Sequence, residues 1–214
     1  MAMHRQAAPA APAPPHAAGS PVHAVSRAGA SVRLMAGFAG FGAGSVDLAI
    51  SSSIIAGGSF GAALPLLAGG IAGLWGAGML AATVGFLARG SLADSSWTRP
   101  ALATASGLHV AAVVFGTPGA PGLALTQLSA LLLTLLIMAS LAWLRRDAAL
   151  HANAPHAMMP TRSVRPARLL VTAFAGAVLV AGIATPGLAA SAAGQYAVPH
   201  GSHGTVPAGG HHPR

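Results

Sequence analysis

Apolar residues in this chain fall into five long blocks, separated by short segments that contain charges or helix breakers. The blocks cover residues 34–57, 64–88, 101–117, 123–144 and 169–190, and the predicted fifth helix begins one residue earlier, at Arg168, so that it covers 168–190. A helix rises 1.5 Å per residue and needs about 20 apolar residues to cross the hydrocarbon layer of a bilayer. The block 101–117 is short by this measure, but the chain must return across the membrane before the next block. The pattern therefore predicts an all-α polytopic membrane protein with five transmembrane helices.

The remaining segments divide the chain further. Residues 1–33 are rich in Ala and Pro, which favours a disordered tail. The first four blocks make a four-helix transmembrane region over residues 34–145. A loop over residues 146–167 carries Arg, His and Met, and a His-rich tail covers residues 191–214.

Arginine is distributed unevenly among these segments. The segments between and outside the five blocks hold 3, 0, 2, 0, 5 and 1 arginines in chain order, and there is no lysine. Because basic residues concentrate on the cytoplasmic side of a membrane, this alternation predicts a cytoplasmic N-terminus and an extracytoplasmic C-terminus.

The composition agrees with a membrane protein. Hydrophobic residues make up 54% of the chain and charged residues 7%, against about 25% charged in soluble domains. The net charge of +8 would suit nucleic acid, but the arginines flank the apolar blocks, so we expect a lipid bilayer and no nucleic acid as partner. The Ala/Gly/Pro/Arg bias indicates a GC-rich bacterial genome, hence a multi-pass protein of the cytoplasmic membrane.

The fifth block resembles a signal peptide. Basic Arg165 and Arg168 precede an apolar run, then Pro186, then the small residues 190–192. The run exceeds the roughly 7 to 15 apolar residues of a signal peptide, so we predict an uncleaved fifth helix. The alternative is a membrane-anchored precursor whose C-terminal peptide is released by signal peptidase. A stripe of small residues that would dock the helix on the bundle comprises Ala173, Ala177 and Ala181.

The first block carries an acid near its middle, Asp47. A central Asp costs about 2.5 to 3.5 kcal/mol on insertion, and each Leu, Ile, Phe or Val returns about 0.3 to 0.6 kcal/mol. The block has eight such residues, so the two contributions nearly cancel. We therefore expect this helix to be marginal alone and to need a partner.

Small residues repeat at helical spacing in three blocks, which lets helix backbones approach closely. Such faces also favour homo- or hetero-oligomers. The stripes are Gly40, Gly44, Asp47 and Ser51 in the first block, Gly69, Gly73, Ala77, Ala81 and Gly85 in the second, and Ala105, His109, Ala112 and Gly116 in the third.

Asp47 and His109 are the two ionisable residues inside the blocks. Each lies near the middle of its block, and the two blocks are predicted to run in the same direction. We therefore predict an intramembrane polar pair between the first and third helices. Such a pair either specifies helix packing or marks a proton or ion path, and we favour the second interpretation.

Histidine and methionine outside the blocks suggest metal binding. Imidazole binds Zn, Ni and Cu(II), and thioether sulfur favours Cu(I). We expect weak binding of these ions by the C-terminal tail and a weaker signal in the loop. The candidate ligands are His200, His203, His211 and His212 in the tail, and His151, His156, Met158 and Met159 in the loop.

Motifs for enzyme chemistry are missing from the sequence. It has no cysteine, no glutamate and no phosphate-binding G-x-x-x-x-G-K-[ST] loop. We therefore predict that the protein is not an enzyme and has no certain cofactor. The leading hypothesis is a small transporter or accessory subunit that handles transition metal ions or protons. The alternatives are the released-peptide precursor and a structural membrane protein without transport activity.

Overall fold

A computed structural model describes residues 27–58, 63–89, 96–116, 121–152 and 166–195. Within these ranges the chain is helical and contains no strand. The helices are α1 (Arg27–Gly57), α2 (Ala63–Arg89), α3 (Thr98–Phe115), α4 (Pro121–Ala152), α5 (Pro166–Ala190) and α6 (Ala192–Gln195). The predicted all-α architecture is therefore confirmed.

Four of these helices, α1, α2, α4 and α5, are long and apolar enough to cross a membrane. The prediction of a multi-pass membrane protein is supported in this coarser form. The remaining long helix, α3, has 18 residues and falls outside the set. Its first turn carries Thr98, Arg99 and Pro100 and its middle carries His109, and these residues lower its hydropathy.

The helices extend beyond the predicted blocks. Helix α1 begins at Arg27, inside the segment predicted to be a disordered tail, because no proline interrupts residues 22–57. Helix α4 continues to Ala152, and Pro155 follows shortly after it. Helix α5 starts at Pro166, a residue well suited to a first helical position, and continues through Pro186 to Ala190.

Helices that follow one another along the chain alternate in direction. Helices α1 and α2 are antiparallel, since Gly37 faces Leu87 at one end and Gly58 faces Pro65 at the other. Helices α1 and α5 are parallel: the hydroxyls of Ser31 and Thr172 lie 3.0 Å apart near their N-terminal ends, and Ser53 contacts Ala192 at the other end. Helices α3 and α4 form an antiparallel hairpin, so α3 runs in the same direction as α1.

Helix α1 lies at the centre of the bundle. Its most apolar segment is 56% buried, against 39% for α4 and 17% each for α2 and α5. Helices α2, α4 and α5 surround it. The core is formed by Ala39, Ala43, Val46 and Ile50 of α1, Leu102 of α3, Ala130, Leu133 and Ile137 of α4, and Val180 and Ala184 of α5. The helix that carries the membrane acid is thus the one with the most helix partners.

The outer faces of the helices are strongly apolar. Leu74 on α2, Phe115 on α3 and Phe174 on α5 are among many large hydrophobic residues that are exposed. Such a surface would aggregate in water but suits the hydrocarbon of a bilayer. The exposed apolar faces therefore support a membrane environment.

The small-residue stripe on α1 packs against α2, and not against α3 as its pairing with His109 would imply. A Cβ on Gly40 would collide with Thr83, and Gly44 lies against Gly76. The hydroxyl of Ser51 donates a hydrogen bond of 2.7 Å to the carbonyl oxygen of Gly69. The antiparallel neighbour along the chain occupies this face, because only residues 58–62 separate α1 from α2.

The contacting face of α2 also differs from its predicted stripe. Gly69, Gly73, Gly76 and Thr83 contact α1, whereas Ala77 and Ala81 are exposed. A row of residues spaced by four drifts around a helix of 3.6 residues per turn by about 40° per step. Alternating spacings of four and three stay on one face. Helix α5 packs through Gly176, Val180, Ala184 and Gly187, and it leaves Ala181 of its predicted stripe exposed.

Candidate functional site

Asp47 lies in the middle of α1 with 2% of its surface exposed. It sits at the edge of the α1–α2 contact: a Cβ added to Gly76 would lie 3.1 Å from the Cβ of Asp47. The absence of a side chain at Gly76 therefore gives Asp47 the room it needs beside α2. From this position the carboxyl group reaches across towards α3.

His109 of α3 meets Asp47 from the other side. Its Nε2 lies 3.6 Å from Oδ1 of Asp47, and 8% of its surface is exposed. This separation allows a charge interaction but exceeds the length of a hydrogen bond. The structure thus brings together the two residues that the sequence predicts as an intramembrane pair, although the backbone of α3 packs on α4 and not on α1.

Gln127 of α4 is a third member of the site. Its Oε1 lies 2.7 Å from Nδ1 of His109, and both side chains are buried. Sequence reasoning missed this residue. The available signal was that Gln127 is the one carboxamide in the apolar block 123–144, so a buried position obliges it to find a polar partner.

Two buried polar atoms of this cluster have no hydrogen-bond partner, Oδ2 of Asp47 and Nε2 of His109. Leaving a buried polar atom unpaired costs about 1 to 3 kcal/mol, and more for a charged group. Among the buried polar residues of the described chain, Asp47 and His109 are the only ionisable ones. The cluster therefore has the energetic cost and the chemistry that mark functional sites within membranes.

The facing carboxyl and imidazole groups of the cluster can share a proton. The described residues contain no group of three or more His, Cys, Asp or Glu side chains that could hold a metal. A carboxylate and an imidazole that face each other are two bases, and one proton between them makes the pair electrically neutral. The site is accordingly neutral with one proton bound and has a net charge of −1 once that proton is released.

The predicted metal ligands outside the blocks are not tested by the structure. His156, Met158, Met159 and the tail residues His200, His203, His211 and His212 lie outside the described residues. His151 belongs to the last turn of α4, but its side chain is not described. Metal binding by these residues stays a prediction.

A second polar cluster ties down the C-terminal end of α5. The backbone N–H of Ser191 bonds to the carbonyl oxygen of Leu188, so the carbonyl oxygen of Gly187 loses its usual partner four residues on. The hydroxyl of Thr126 on α4 donates to that oxygen at 3.0 Å. The N–H of Ala192 donates to Ser53 of α1 at 2.9 Å. The segment that resembles a signal-peptidase site is therefore hydrogen-bonded to two other helices.

The structure also has a small apolar pocket of about 60 Å³, which Asp47 and His109 do not line. All four of the first helices line it, among them Gly40 of α1, Thr83 of α2, Leu102 of α3 and Ile137 of α4. Gly40 and Leu102 each lie two helical turns before a member of the pair, Asp47 and His109. Apolar cavities stay dry, so this one provides space beside α3 and no continuous polar path.

Comparison with known proteins identifies no relatives. No protein-family model matches the chain, and no curated protein or solved structure shows significant similarity to it. The feature of the chain that bears on function is therefore the geometry of the Asp47–His109–Gln127 cluster.

Proposed function

We propose that this chain is a five-span protein of the bacterial cytoplasmic membrane, with its N-terminus in the cytoplasm and its C-terminus outside. In this proposal α3 crosses the membrane together with the four more apolar helices. The alternating helix directions support it, as does the arginine distribution. Phe115, at the end of α3, is 84% exposed, and a bilayer gives such a residue an apolar surrounding.

We further propose that the protein moves protons, as a small transporter or as an accessory subunit of one, and that it is not an enzyme. One observation carries this proposal: Asp47 and His109 face each other at 3.6 Å with unpartnered atoms inside an apolar bundle. A pair that served packing alone would gain by closing this gap to hydrogen-bond length. Open hydrogen-bonding capacity on both partners is what a proton-exchanging site requires.

The position of α3 supports access to this pair. Its backbone packs on α4 alone among the described helices, and the apolar cavity leaves space beside it. A small displacement of α3 relative to α1 would separate His109 from Asp47 without disturbing the α1–α2 contact. Such a movement would uncover both partners of the pair together and allow them to exchange a proton.

Proton flux into liposomes tests this function. The purified protein is reconstituted with a pH-sensitive dye inside the vesicles, and an imposed potential drives the flux. Asp47→Asn and His109→Gln each abolish the flux if the pair carries it. Asp147→Asn makes the same chemical change on α4 outside the pair and should leave the flux intact.

Parallel vesicles loaded with a metal-sensitive dye test zinc, nickel and copper as alternative cargo. If the wild-type protein takes up a metal ion and Asp47→Asn does not, the substrate is that ion and not the proton. If the wild type and the pair variants show the same background flux of protons and of metals, transport by the chain alone is refuted. The pair would then have a structural role.

A further inference from the structure

The hydrogen bond between Gln127 and His109 determines which nitrogen of the imidazole carries a proton. Oε1 of Gln127 lies 2.7 Å from Nδ1 of His109. A carboxamide oxygen accepts hydrogen bonds and cannot donate them, so Nδ1 must be the donor. We propose that Gln127 is a positioning residue that holds the proton of His109 on Nδ1 and thereby makes Nε2 and Asp47 the two ends of a one-proton site.

The consequence for the pair follows from the imidazole. With a proton on Nδ1, neutral imidazole presents Nε2 to Asp47 as an acceptor. A carboxylate oxygen is also an acceptor, so the 3.6 Å gap between Nε2 and Oδ1 has no donor unless one further proton is present. That proton resides either on Asp47, as a carboxylic acid, or on Nε2, as an imidazolium beside a carboxylate. In both forms the pair is neutral.

The opposite orientation of the carboxamide leads to a different charge. If the NH₂ group of Gln127 faced His109, it would donate to Nδ1, and Nε2 would carry the only ring proton. Nε2–H would then donate to an ionised Asp47, and the site would have a net charge of −1. Burying an uncompensated carboxylate is far more costly than burying a neutral pair. A neutral site in this flipped orientation needs a protonated Asp47 that accepts from Nε2–H, whereas the orientation with Oε1 towards the ring, which the 2.7 Å contact records, lets the proton lie on either partner.

Gln127 is well placed for this task. It lies on α4, the helix on which α3 packs, while Asp47 belongs to α1 on the other side of His109. The imidazole is thus held from α4 through Nδ1, and Nε2 is aimed at α1. The inference rests on the proposed function of this site, but it concerns the location of a proton and not its movement.

Nitrogen NMR of His109 tests the inference. The full chain is labelled with ¹⁵N-histidine and placed in lipid nanodiscs, and a spectrum of His109→Asn identifies the His109 signals by difference. We expect Nδ1 to be protonated in the wild-type protein. A spectrum in which Nδ1 is bare and Nε2 protonated would overturn the inference without any substitution at Gln127.

Substitutions at Gln127 test its role. Gln127→Met keeps the size of the side chain but removes the strong acceptor. The ratio of the Nδ1–H form to the Nε2–H form should therefore fall about tenfold. Gln127→Glu restores an acceptor oxygen and should restore Nδ1–H. Thr134→Val is the control, since Thr134 bonds within its own helix to Ala130. An unchanged ratio in Gln127→Met would refute the positioning role.

The two proposals fail separately. The NMR experiment requires a folded protein but no transport. Protonated Nδ1 in a protein without proton flux would refute transport and leave the role of Gln127 intact. Flux that depends on Asp47 and His109 in a protein with bare Nδ1 would do the reverse.

Discussion

Gly44 of α1 and Gly76 of α2 lie so close that a Cβ added to either residue would be 2.8 Å from the carbonyl oxygen of the other. A backbone oxygen cannot move aside as the end of a flexible side chain can. The contact therefore requires glycine on both helices. Since Asp47 is one turn from Gly44, the same contact sets the depth and position of the buried acid.

This contact predicts that Gly76→Ala destabilises the bundle. The added methyl group would overlap the backbone of α1, and overpacking of this kind costs about 1 to 3 kcal/mol. Gly78→Ala is the matched control, because a Cβ there meets nothing within 4 Å. Thermal unfolding of both variants in the same detergent measures the difference. Equal stability would show that α1 and α2 do not pack as described.

A second prediction concerns the coupling between Asp47 and His109. Asp47→Ala leaves His109 facing an empty position, and His109→Ala leaves a buried acid without its charge partner. Either change should lower the unfolding temperature, and the double variant should lose less than the sum. Interaction energies between contacting residues are about 0.5 to 3 kcal/mol. The unfolding of the four proteins in detergent gives the coupling directly.

Ser140→Ala provides the control for this cycle. Ser140 is buried on α4, about 20 Å along the helix from Gln127 at 1.5 Å per residue. The loss of stability caused by Ser140→Ala should add to the loss caused by Asp47→Ala within error. If the Asp47–His109 cycle is equally additive, the two residues do not interact.

The helices and the pairing of Asp47 with His109 could be predicted from the sequence, and the reason is physical. Apolar blocks of membrane length report directly on helices, because every backbone polar group must be satisfied internally in lipid. Asp47 and His109 could be paired because they are the two ionisable residues in the blocks and lie at similar depth. Neither inference required knowledge of side-chain packing.

The partners of each helix face could not be read in the same way. The stripe through Gly44 and Asp47 could pack against any helix that approaches closely. Helix α2 occupies this face because only residues 58–62 separate it from α1. The hydrogen bond that Gln127 accepts from His109 depends on the rotation of α4 about its axis, which the few polar residues of a leucine-rich block do not define. Rotation and neighbour choice are properties of the assembled bundle.

The proposed topology leads to a third prediction. Reporter fusions after residues 61, 119 and 201 should report the outside of the membrane, and fusions after residues 95 and 154 the inside. The arginine-rich segments account for this alternation. Fusions at 95 and 119 examine α3 specifically: if both report the same side, α3 does not cross. If the fusions at 154 and 201 agree, α5 does not cross.

A fourth prediction concerns the end of α5. We expect the chain to remain intact in cells, because proteolysis favours exposed segments with few hydrogen bonds, and Ser191 is buried within the bonded end of α5. Thr126→Val removes the hydrogen bond to Gly187 and should increase any cleavage. A blot with tags on both termini, with and without a signal peptidase inhibitor, measures this.

Thr134→Val is the control, because it removes a hydroxyl of α4 that lies away from the C-terminal end of α5. This variant should resist cleavage as well as the wild type does. A short C-terminal fragment from the wild-type protein that disappears with the inhibitor would favour the released-peptide precursor over the retained helix.

The fifth prediction concerns the histidines of the tail. The wild-type protein should bind zinc, nickel or copper weakly, and replacing His200, His203, His211 and His212 by alanine should remove most of this binding. Replacing His151 and His156 instead should have a smaller effect. Titration calorimetry of the three proteins in detergent compares them. Equal binding by the tail variant and the wild type would place the metal elsewhere or refute the tail as its ligand.

The central position of α1 has a consequence for biosynthesis. The ribosome delivers this helix to the membrane before α2, α4 and α5, yet all three contact it in the finished protein. Its serine at position 53 bonds to Ala192, which emerges only after the last long helix. During translation the first helix must therefore persist in a half-covered state, with its acid in lipid or drawn towards the surface. Chains arrested before α5 would leave uncovered the other face of α1, which bears Ser31 and Ser53, and would differ from complete molecules at their first helix.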